Sequence, residues 1–456
     1  MEEDESTASV FKQFSTQFLH GMSVRMRETY SRTQLDEFLK ERFVFFQEAT
    51  RRSGMVRVKS HQLSTESQQQ ESRYNCHVIV EISAPDAPFI VVTVEALMRK
   101  MELLIHRKLH PIMGVVLSAE KEIEAVIYPE EKMDKFDHLY LEIEADTDIV
   151  FLKRLETLIA GHMLAVQLVR NHRQKMLQSL ASMQTEIESV TVVSADTKGE
   201  WSKLCGWLNL DNFTVMGFIS FLQSDSDSAD FIKTVENSGH GILAAEYIEK
   251  TSNILLNILT AHLWKRRHSD FPFALDRVNF PSPVLRFENL MVLSLRIPDA
   301  ILGMVEHVFL GLLRGSSLNV KNTETPLIHQ KMRYIFENRN MLQNSYDYNE
   351  VVRIFGATPK FELFRSSRRE LIQICDDLLS VNNPNKIHCF QIETRVSGVL
   401  KLMVVMPTSL LNEEAIEQTA DFLKGKITHQ NCEWFEARGS EKSRLHFEFE
   451  LQEDLQ

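Results

Sequence analysis

The chain has 456 residues, 43% hydrophobic and 25% charged, with 51 basic and 63 acidic side chains and a formal net charge of −12. At ~150 residues per domain this length accommodates about three domains, and the apolar content needs no disulfide or metal staple to build cores of that size. The acidic balance excludes sequence-independent nucleic-acid binding, which requires a basic surface to neutralise phosphates.

The five cysteines, Cys76, Cys205, Cys375, Cys389 and Cys432, are widely spaced. No CxxC pair is present, so neither a zinc knuckle nor a redox dithiol is written into the sequence. They read as reduced, mostly buried thiols of a cytoplasmic protein. The start, MEEDESTASV, is acidic and lacks the basic and apolar regions of a secretory signal. No apolar run approaches the ~18–20 residues of a membrane span. The expectation is a soluble cytoplasmic protein with neither nucleic acid nor membrane as partner.

In chain order, residues 11–50 mix aromatics and charges at helical spacing, with Phe38, Leu39, Phe43, Phe45 and Phe46 as an apolar stripe. Residues 59–73 are polar without periodicity and read as a loop or linker. CHVIVEI (Cys76–Ile82) is a short β-branched strand, broken by SAPDAP. A helix follows over Phe89–Glu102, with Pro88 suited to its first turn and Ile90, Val94, Leu97, Met98 and Met101 on one face. LIHRKLHPIMGVVLS and EIEAVIY (Glu122–Tyr128) form a hairpin. DHLYLEIEA (Asp137–Ala145) alternates as an antiparallel strand. A long helical tract from Asp148 to Ser189, with at most one break, carries Leu152, Leu155, Ile159, Met163, Val166 and Val169 at helical spacing.

A second cycle opens near Trp201. WSKLCGWL is a short helix, Phe213–Leu222 a strand and QSDSDSAD a turn. Leu285–Ile297 and Glu306–Leu313 form an antiparallel strand pair, with Pro298 and Asp299 near their connection. From Pro326 to Ser380 the pattern is helical in three pieces, the last capped by Ser366 with Arg369 or Glu370 behind it. After NNPN a third unit appears: a hairpin around Ser397 and Gly398, the helix NEEAIEQTADFLKGKI, and the strands CEWFEARG and SRLHFEFEL. Three repeated α+β units imply βαββαβ, ferredoxin-like modules joined by helices.

Few motifs carry chemistry. SGHGILA supplies Gly239-x-Gly241-x-x-Ala244, a formal dinucleotide fingerprint. It lacks a good buried strand before it and an acid ~20 positions on, so it reads as a loop. His106 and His110 lie four apart on a strand-like run, too far from each other to share one ion, and read as structural histidines. His388 and Cys389 are strand neighbours pointing to opposite faces, which is wrong for a base and its nucleophile. Ala84–Phe89, APDAPF, leads from a strand into a helix start, whose free N–H groups favour an anion such as a carboxylate; a plain strand–helix connection is the alternative. There is no P-loop, nucleophile elbow or Ser/His/Asp set, and 16 glycines are few for a nucleotide-cradling core.

The run from Glu306 to Glu337, EHVFLGLLRGSSLNVKNTETPLIHQKMRYIFE, resembles a segment of the large bacterial NAD-specific glutamate dehydrogenases, whose counterpart reads EHRFLGLFTSSAY…PLLRRK. Further resemblances fall in the same order: Val78–Met113 to VVEIVNDDMPFLVDSV…IHPV, Trp207–Phe221 to WL…FTFLGYREY, SGHGIL to GLGIL, Ala357–Leu379 to PRDELF, and Ser443–Leu451 to an ARLHF-type strand. They cover roughly residues 70–456.

The resemblance implies an N-terminal regulatory region of three ACT-like modules. The expected division is 1–73, a helical segment and linker; 74–190, the first module with its long helix; 191–320, the second; 321–382, a helical connector; and 383–456, the third. ACT modules bind amino acids at the loop between first strand and first helix, often at a subunit interface. The resemblance therefore implies Asp86, Ala87, Pro88 and Phe89 as ligand-binding residues, an amino acid as ligand, and a homo-oligomer. Departures accompany it. Val92 replaces the acid of PFLVDSV, and SPVLRF (Ser282–Phe287) replaces a TVHRP-like element. The sequence shows no Lys- and Gly-rich substrate loop and no Rossmann fingerprint, so no catalytic, cofactor or metal residue is assigned.

The expectation is a regulatory, amino-acid-sensing protein without the catalytic domain. NAD, the one cofactor implied, would enter through a separate catalytic glutamate dehydrogenase chain, in a split enzyme converting glutamate to 2-oxoglutarate. The alternative is an interaction scaffold whose ligand loops have degenerated.

Overall fold

The computed structural model describes residues 2–62, 76–223, 232–265, 272–299, 303–381, 383, 385–394 and 398–451. The Ser/Asp-rich turn at 224–231 and the hairpin tip at 395–397 lie outside these residues. The chain divides into two compact units. One comprises Met1–Ser179, Val215–Ser269 and Arg277–Leu312; the other Leu180–Thr214, Asp270–Asp276 and Leu313–Gln456. The architecture is α+β, with antiparallel sheets and packed helices. Among the described residues no helix is long and apolar enough to cross a membrane.

The first unit opens with helices α1 (Glu2–His20), α2 (Val24–Glu28) and α3 (Arg32–Arg51). Helix α3 starts sharply because Ser31 and Gln34 form a reciprocal capping box. Strand β1 (Met55–Gln62) pairs antiparallel with β2 (Cys76–Pro85). Residues 59–62, polar and expected in a loop, are thus strand. Their main chain is fixed by the β2 ladder, which side-chain patterning does not report. Then come α4 (Ile90–Lys100), β3 (Leu104–Leu109), β4 (Ile112–Leu117), β5 (Ile123–Ile127), β6 (Lys135–Glu144) and the 38-residue α5 (Ile149–Glu186). Helix α4 begins two residues after Pro88, with Phe89 as its N-cap in the left-handed region at φ 78°. Helix α5 is unbroken, and Leu152, Leu155, Ile159, Met163, Val166 and Val169 are all buried along it. The Asp148 carboxylate caps it, accepting from the amides of Val150 and Phe151.

The first sheet has the order β1-β2-β6-β4-β5, and β3 also pairs with β6. Phe14 and Phe18 of α1 and Phe43 and Phe46 of α3 share one apolar core with Ile79, Met113, Val115, Phe136 and Tyr140 of this sheet. Tilted ring pairs such as Phe14–Phe43 and Phe14–Phe46, both 5.2 Å between centroids, fill it. The second sheet has the order β10-β11-β12-β7-β8, with β9 on β7. Its strands are β7 (Phe213–Gln223), β8 (Ile232–Thr234), β9 (His240–Gly241), β10 (Phe273–Pro281), β11 (Asn289–Asp299) and β12 (Gly303–Leu313). Between β9 and β10 lie α7 (Ala245–Lys250) and α8 (Ile254–Lys265), after α6 (Ala195–Trp207) earlier in the chain. The β11–β12 pair has the expected antiparallel register, Leu293 opposite Phe309 and Pro298 opposite Met304.

In the second unit, α9 (Gly315–Leu318), α10 (Ile328–Asn338), α11 (Tyr346–Ala357), α12 (Lys360–Arg365) and α13 (Arg368–Ser380) precede the third sheet. The cap of α13 is Ser367 rather than the expected Ser366. Its hydroxyl accepts from the Glu370 amide while Glu370 accepts from the Ser367 amide, and only that three-residue spacing closes the box. The Lys331 ammonium donates to the carbonyls of Leu363, Phe364 and Ser366 at 2.6–2.8 Å, fixing the end of α12. The third sheet, β13-β14-β16-β15, is built of β13 (His388–Ile392), β14 (Val399–Pro407), β15 (His429–Ala437) and β16 (Lys442–Leu451). Helix α14 (Glu413–Lys426) contributes Ile416 and Ala420 to a core with Val404, Met406, Leu445, Phe447 and Phe449.

All three sheets share one kernel, complete in the third and enlarged by further strands in the first two and by a second helix in the second: a strand, a helical segment, then at least two strands, with the last strand placed between the first strand and another of them. The triplets are β2-β6-β3/β4, β7-β12-β11 and β14-β16-β15. The remaining edge beside the first strand is filled by β1, β8 and β13 respectively. In a βαββαβ module that edge belongs to the strand after the second helix. Here it is supplied by a strand before the kernel or by one soon after its first strand.

Candidate ligand site

The sequence-predicted residues Asp86, Ala87, Pro88 and Phe89 form the connection between β2 and α4. β2 reaches Pro85 because its ladder with β6 continues to Pro85 opposite Phe136, and the Asp86 amide extends it by donating to the Lys135 carbonyl at 2.8 Å. The chain then turns. Ala87 is buried, Pro88 exposed and Phe89 half-buried. Phe89 offers α4 no side-chain cap, and the first turn of α4 holds no acid. Val92 is exposed there. The early N–H groups of the helix therefore have no acidic side chain competing for them.

Around Asp86 the tertiary structure collects charges from distant positions. Burial, and next the Asp137 carboxylate, push the Asp86 carboxyl above its usual range; Lys135, Arg170 and His110 pull it partly back. Asp137 is itself buried and pairs with the His110 Nε2 at 3.1 Å. The Gln167 amide of α5 donates to the Pro85 carbonyl at 2.8 Å, holding the loop against that helix. Nothing in local sequence marks His110, Lys135, Asp137, Gln167 or Arg170. They reach this end of the sheet only through β3, β6 and α5.

The second sheet also reaches α4. The Leu285 amide donates to the Thr93 hydroxyl at 2.9 Å, and the Pro283 carbonyl is 2.7 Å from His162 Nδ1. The Phe287 ring stands edge-on to His162 at 5.2 Å and beneath the Lys100 ammonium at 4.7 Å. The Ser282–Phe287 segment is thereby a clasp between the first two sheets.

The other motifs resolve into structure. Gly239 and Gly241 do not cradle a phosphate. Gly241 has φ +64°, a Cβ on it would sit 2.0 Å from the Met216 carbonyl oxygen, and one on Gly239 would sit 2.1 Å from that of Leu243. Gly241 is a glycine because the loop there presses on β7, and Gly239 because the loop folds back on its own Leu243 carbonyl; the Gly241 amide donates to His172 Nδ1 at 2.9 Å. His106 pairs with Glu144 and His110 with Asp137, two separate carboxylates. No cluster of three His, Cys, Asp or Glu able to hold a metal occurs among the described residues. Cys205 and Cys375 are buried thiols pushed up to about 12 by desolvation, whereas Cys389 is exposed.

Comparison with known proteins agrees with this architecture. Residues 14–159 match the family described as glutamate dehydrogenase, ACT1 domain, and residues 325–383 match glutamate dehydrogenase, helical motif 1. The ACT1 match begins inside α1 and spans the first sheet. A protein named NAD-specific glutamate dehydrogenase from Pseudomonas aeruginosa is 21% identical over 367 residues, covering 79% of this chain and 22% of the relative. Another of that name from Halomonas elongata is 17% identical over 353 residues, covering 74% of this chain and 21% of the relative. The chain thus spans about a fifth of the length of these relatives. With both family matches and two such relatives in agreement, the chain is a relative of the NAD-specific glutamate dehydrogenases, corresponding to the region of that family that carries its first ACT domain and first helical motif.

Proposed function

We propose that this chain is a regulatory, amino-acid-sensing relative of NAD-specific glutamate dehydrogenase, with its ligand at Asp86–Phe89. One observation carries the reading: a half-buried carboxylate and an uncapped start of an 11-residue helix meet on one short loop. An amino acid is a zwitterion. Its ammonium suits Asp86, and its carboxylate suits the free N–H groups of the first turn. The corresponding helix of the third sheet differs: Asn412 caps α14 through the Ala415 amide, and Glu413 and Glu414 fill its first turn, repelling an anion.

On this reading NAD and the oxidation of glutamate belong to a catalytic glutamate dehydrogenase chain that this one regulates, and the working form is an oligomer. A scaffold without ligand is the second reading. It is favoured by two polar groups already engaged, the Asp86 amide by Lys135 and the Thr93 hydroxyl by Leu285.

Thermal melting of the pure chain against the common amino acids and NAD tests the proposal, because a ligand of the folded state raises the midpoint by mass action. A rise with one or a few amino acids, lost in Asp86→Ala, supports the sensor. No rise with any amino acid overturns it in favour of the scaffold. A rise with NAD alone places a cofactor in this chain and overturns it as well.

A further inference from the structure

Among the described residues, the non-glycine positions with positive φ are mostly polar, as the left-handed region tolerates short side chains that hydrogen-bond locally. Three are large and apolar: Phe89 at 78°, Leu285 at 73° and Leu327 at 61°. A bulky side chain gains nothing there and crowds its own carbonyl oxygen, so these positions are strained. Two of the three, Phe89 and Leu285, are far apart in the chain yet stand on either side of a single residue, Thr93. The Thr93 amide donates to the Phe89 carbonyl at 2.9 Å, and the Thr93 hydroxyl accepts from the Leu285 amide at 2.9 Å. Thr93 is 1% exposed, so water does not compete for either bond while the contact is closed.

On one side of Thr93 the Ser282–Phe287 clasp is closed on itself. The Ser282 amide donates to the Glu288 carbonyl at 2.8 Å, and the Ser282 hydroxyl donates to the Val284 carbonyl at 2.6 Å. Two further points grip it, His162 of α5 on the Pro283 carbonyl and Lys100 of α4 over the Phe287 ring. On the other side the helix start is weak. Ser31, Ser367 and Asn412 open their helices from extended backbone and cap them with a side chain. Phe89 opens α4 from the left-handed region and supplies no cap. The first turn of α4 is therefore held from outside, by the clasp.

We infer that this contact is a strained latch, in which Ser282–Phe287 and the first turn of α4 open and close as one two-state element. Opening breaks the Leu285–Thr93 bond and lets Leu285 and Phe89 return to ordinary backbone. The strain released offsets part of the lost bond, which brings the open state closer in free energy than for an unstrained contact. Because both strained residues are pinned through Thr93, release on either side frees the other. A displacement of the β2–α4 connection is thereby felt in the β10–β11 loop, and the reverse. The latch needs no ligand and stands apart from the reading of Asp86–Phe89 as an amino-acid site.

Hydrogen exchange of the full chain without ligand tests this on the wild type, Thr93→Val, Leu285→Ala and Leu285→Gly, with circular dichroism and a thermal melt to check that each variant is folded. The reporters are the amides of Val284 and Leu285 in the clasp and of Thr93 and Val94, the first bonded within α4, read against Val80 in β2 and Leu293 in β11. In T93V exchange should rise about fivefold or more at both sets of reporters and stay unchanged at Val80 and Leu293. L285G should exchange about threefold or more below L285A at both sets, since glycine removes the left-handed strain that alanine keeps. A rise in T93V confined to the clasp, or none, makes the contact an ordinary loop packing and overturns the latch. A rise spread equally over Val80 and Leu293 shows global opening and overturns it as well. L285G exchanging as fast as L285A, or faster, shows that no strain is held and overturns it too.

Discussion

The Leu285 main-chain amide donates to the Thr93 hydroxyl at 2.9 Å, joining a loop of the second sheet to the first turn of α4. Thr93 is fully buried, and Leu285 is held at φ +73°. The first turn of α4 is also the candidate ligand site, so the clasp and the ligand loop share one helical turn. Thr93→Val keeps the shape and removes the acceptor. Leaving the amide unpaired should cost about 1–3 kcal/mol. Urea unfolding of the variant measures this, and hydrogen exchange should rise across Ser282–Phe287. An unchanged midpoint would show that the clasp contributes nothing to stability.

A second expectation concerns buried charge. Glu81 on β2 and Arg42 on α3 are both almost wholly buried and form an ion pair, and Glu81 also accepts from Arg57 Nε at 2.8 Å. The Arg42 guanidinium lies 4.8 Å from the Phe38 ring and 5.0 Å from that of Tyr140. Glu81→Gln leaves the Arg42 charge without its buried counter-ion, a loss of about 3–5 kcal/mol. Replacing both partners by apolar residues of similar size should cost much less. Denaturant titration of the single and double variants separates the two outcomes.

His138 sets an acid limit on stability. It is fully buried among Phe14, Phe18, Phe45 and Phe46, and neither ring nitrogen has a hydrogen-bond partner among the described residues. Desolvation, then the Arg42 and Arg57 charges, lowers its pKa from 6.5 to about 3. The unfolded state then binds a proton that the folded state refuses. Stability is complete above pH 6.5 and falls as pH drops from 6.5 toward 3, by about 1.4 kcal/mol per unit. Calorimetry at pH 7 and pH 5 should show a loss of about 2 kcal/mol that is absent in His138→Leu. An equal loss in that variant would assign the acid sensitivity to other groups, among them His446, which burial also shifts well below its usual value.

Gly241 should tolerate no side chain. Its positive φ and the 2.0 Å approach to the Met216 carbonyl oxygen leave no space for a methyl group. Gly241→Ala should lower stability by more than about 1 kcal/mol, because the backbone must leave the left-handed region or move off β7. Since the glycine serves packing, NAD should bind neither the wild type nor the variant. A midpoint raised by NAD in the wild type alone would restore the dinucleotide reading.

What the sequence determined by itself was local. Helix α5 was legible because its apolar residues repeat at the helical period over many turns. The β11–β12 and β13–β14 pairs were legible because short, largely apolar runs flank the turn residues Pro298 and Asp299 and Ser397 and Gly398. The Asp86–Phe89 loop was legible as a strand-to-helix junction, and the run of motifs was enough to indicate the family. Capping boxes came out one residue off at Ser367, since two adjacent serines offer the same chemistry and only main-chain geometry chooses between them. Polar β1 was missed at residues 59–62 because a strand held by its ladder needs no apolar alternation. Which charges surround Asp86, which strand fills each sheet edge, and which loop meets Thr93 were decided by tertiary structure alone. Those features depend on main-chain register and strand order, and these bring together residues far apart in the chain whose side chains carry no mutual signal along it.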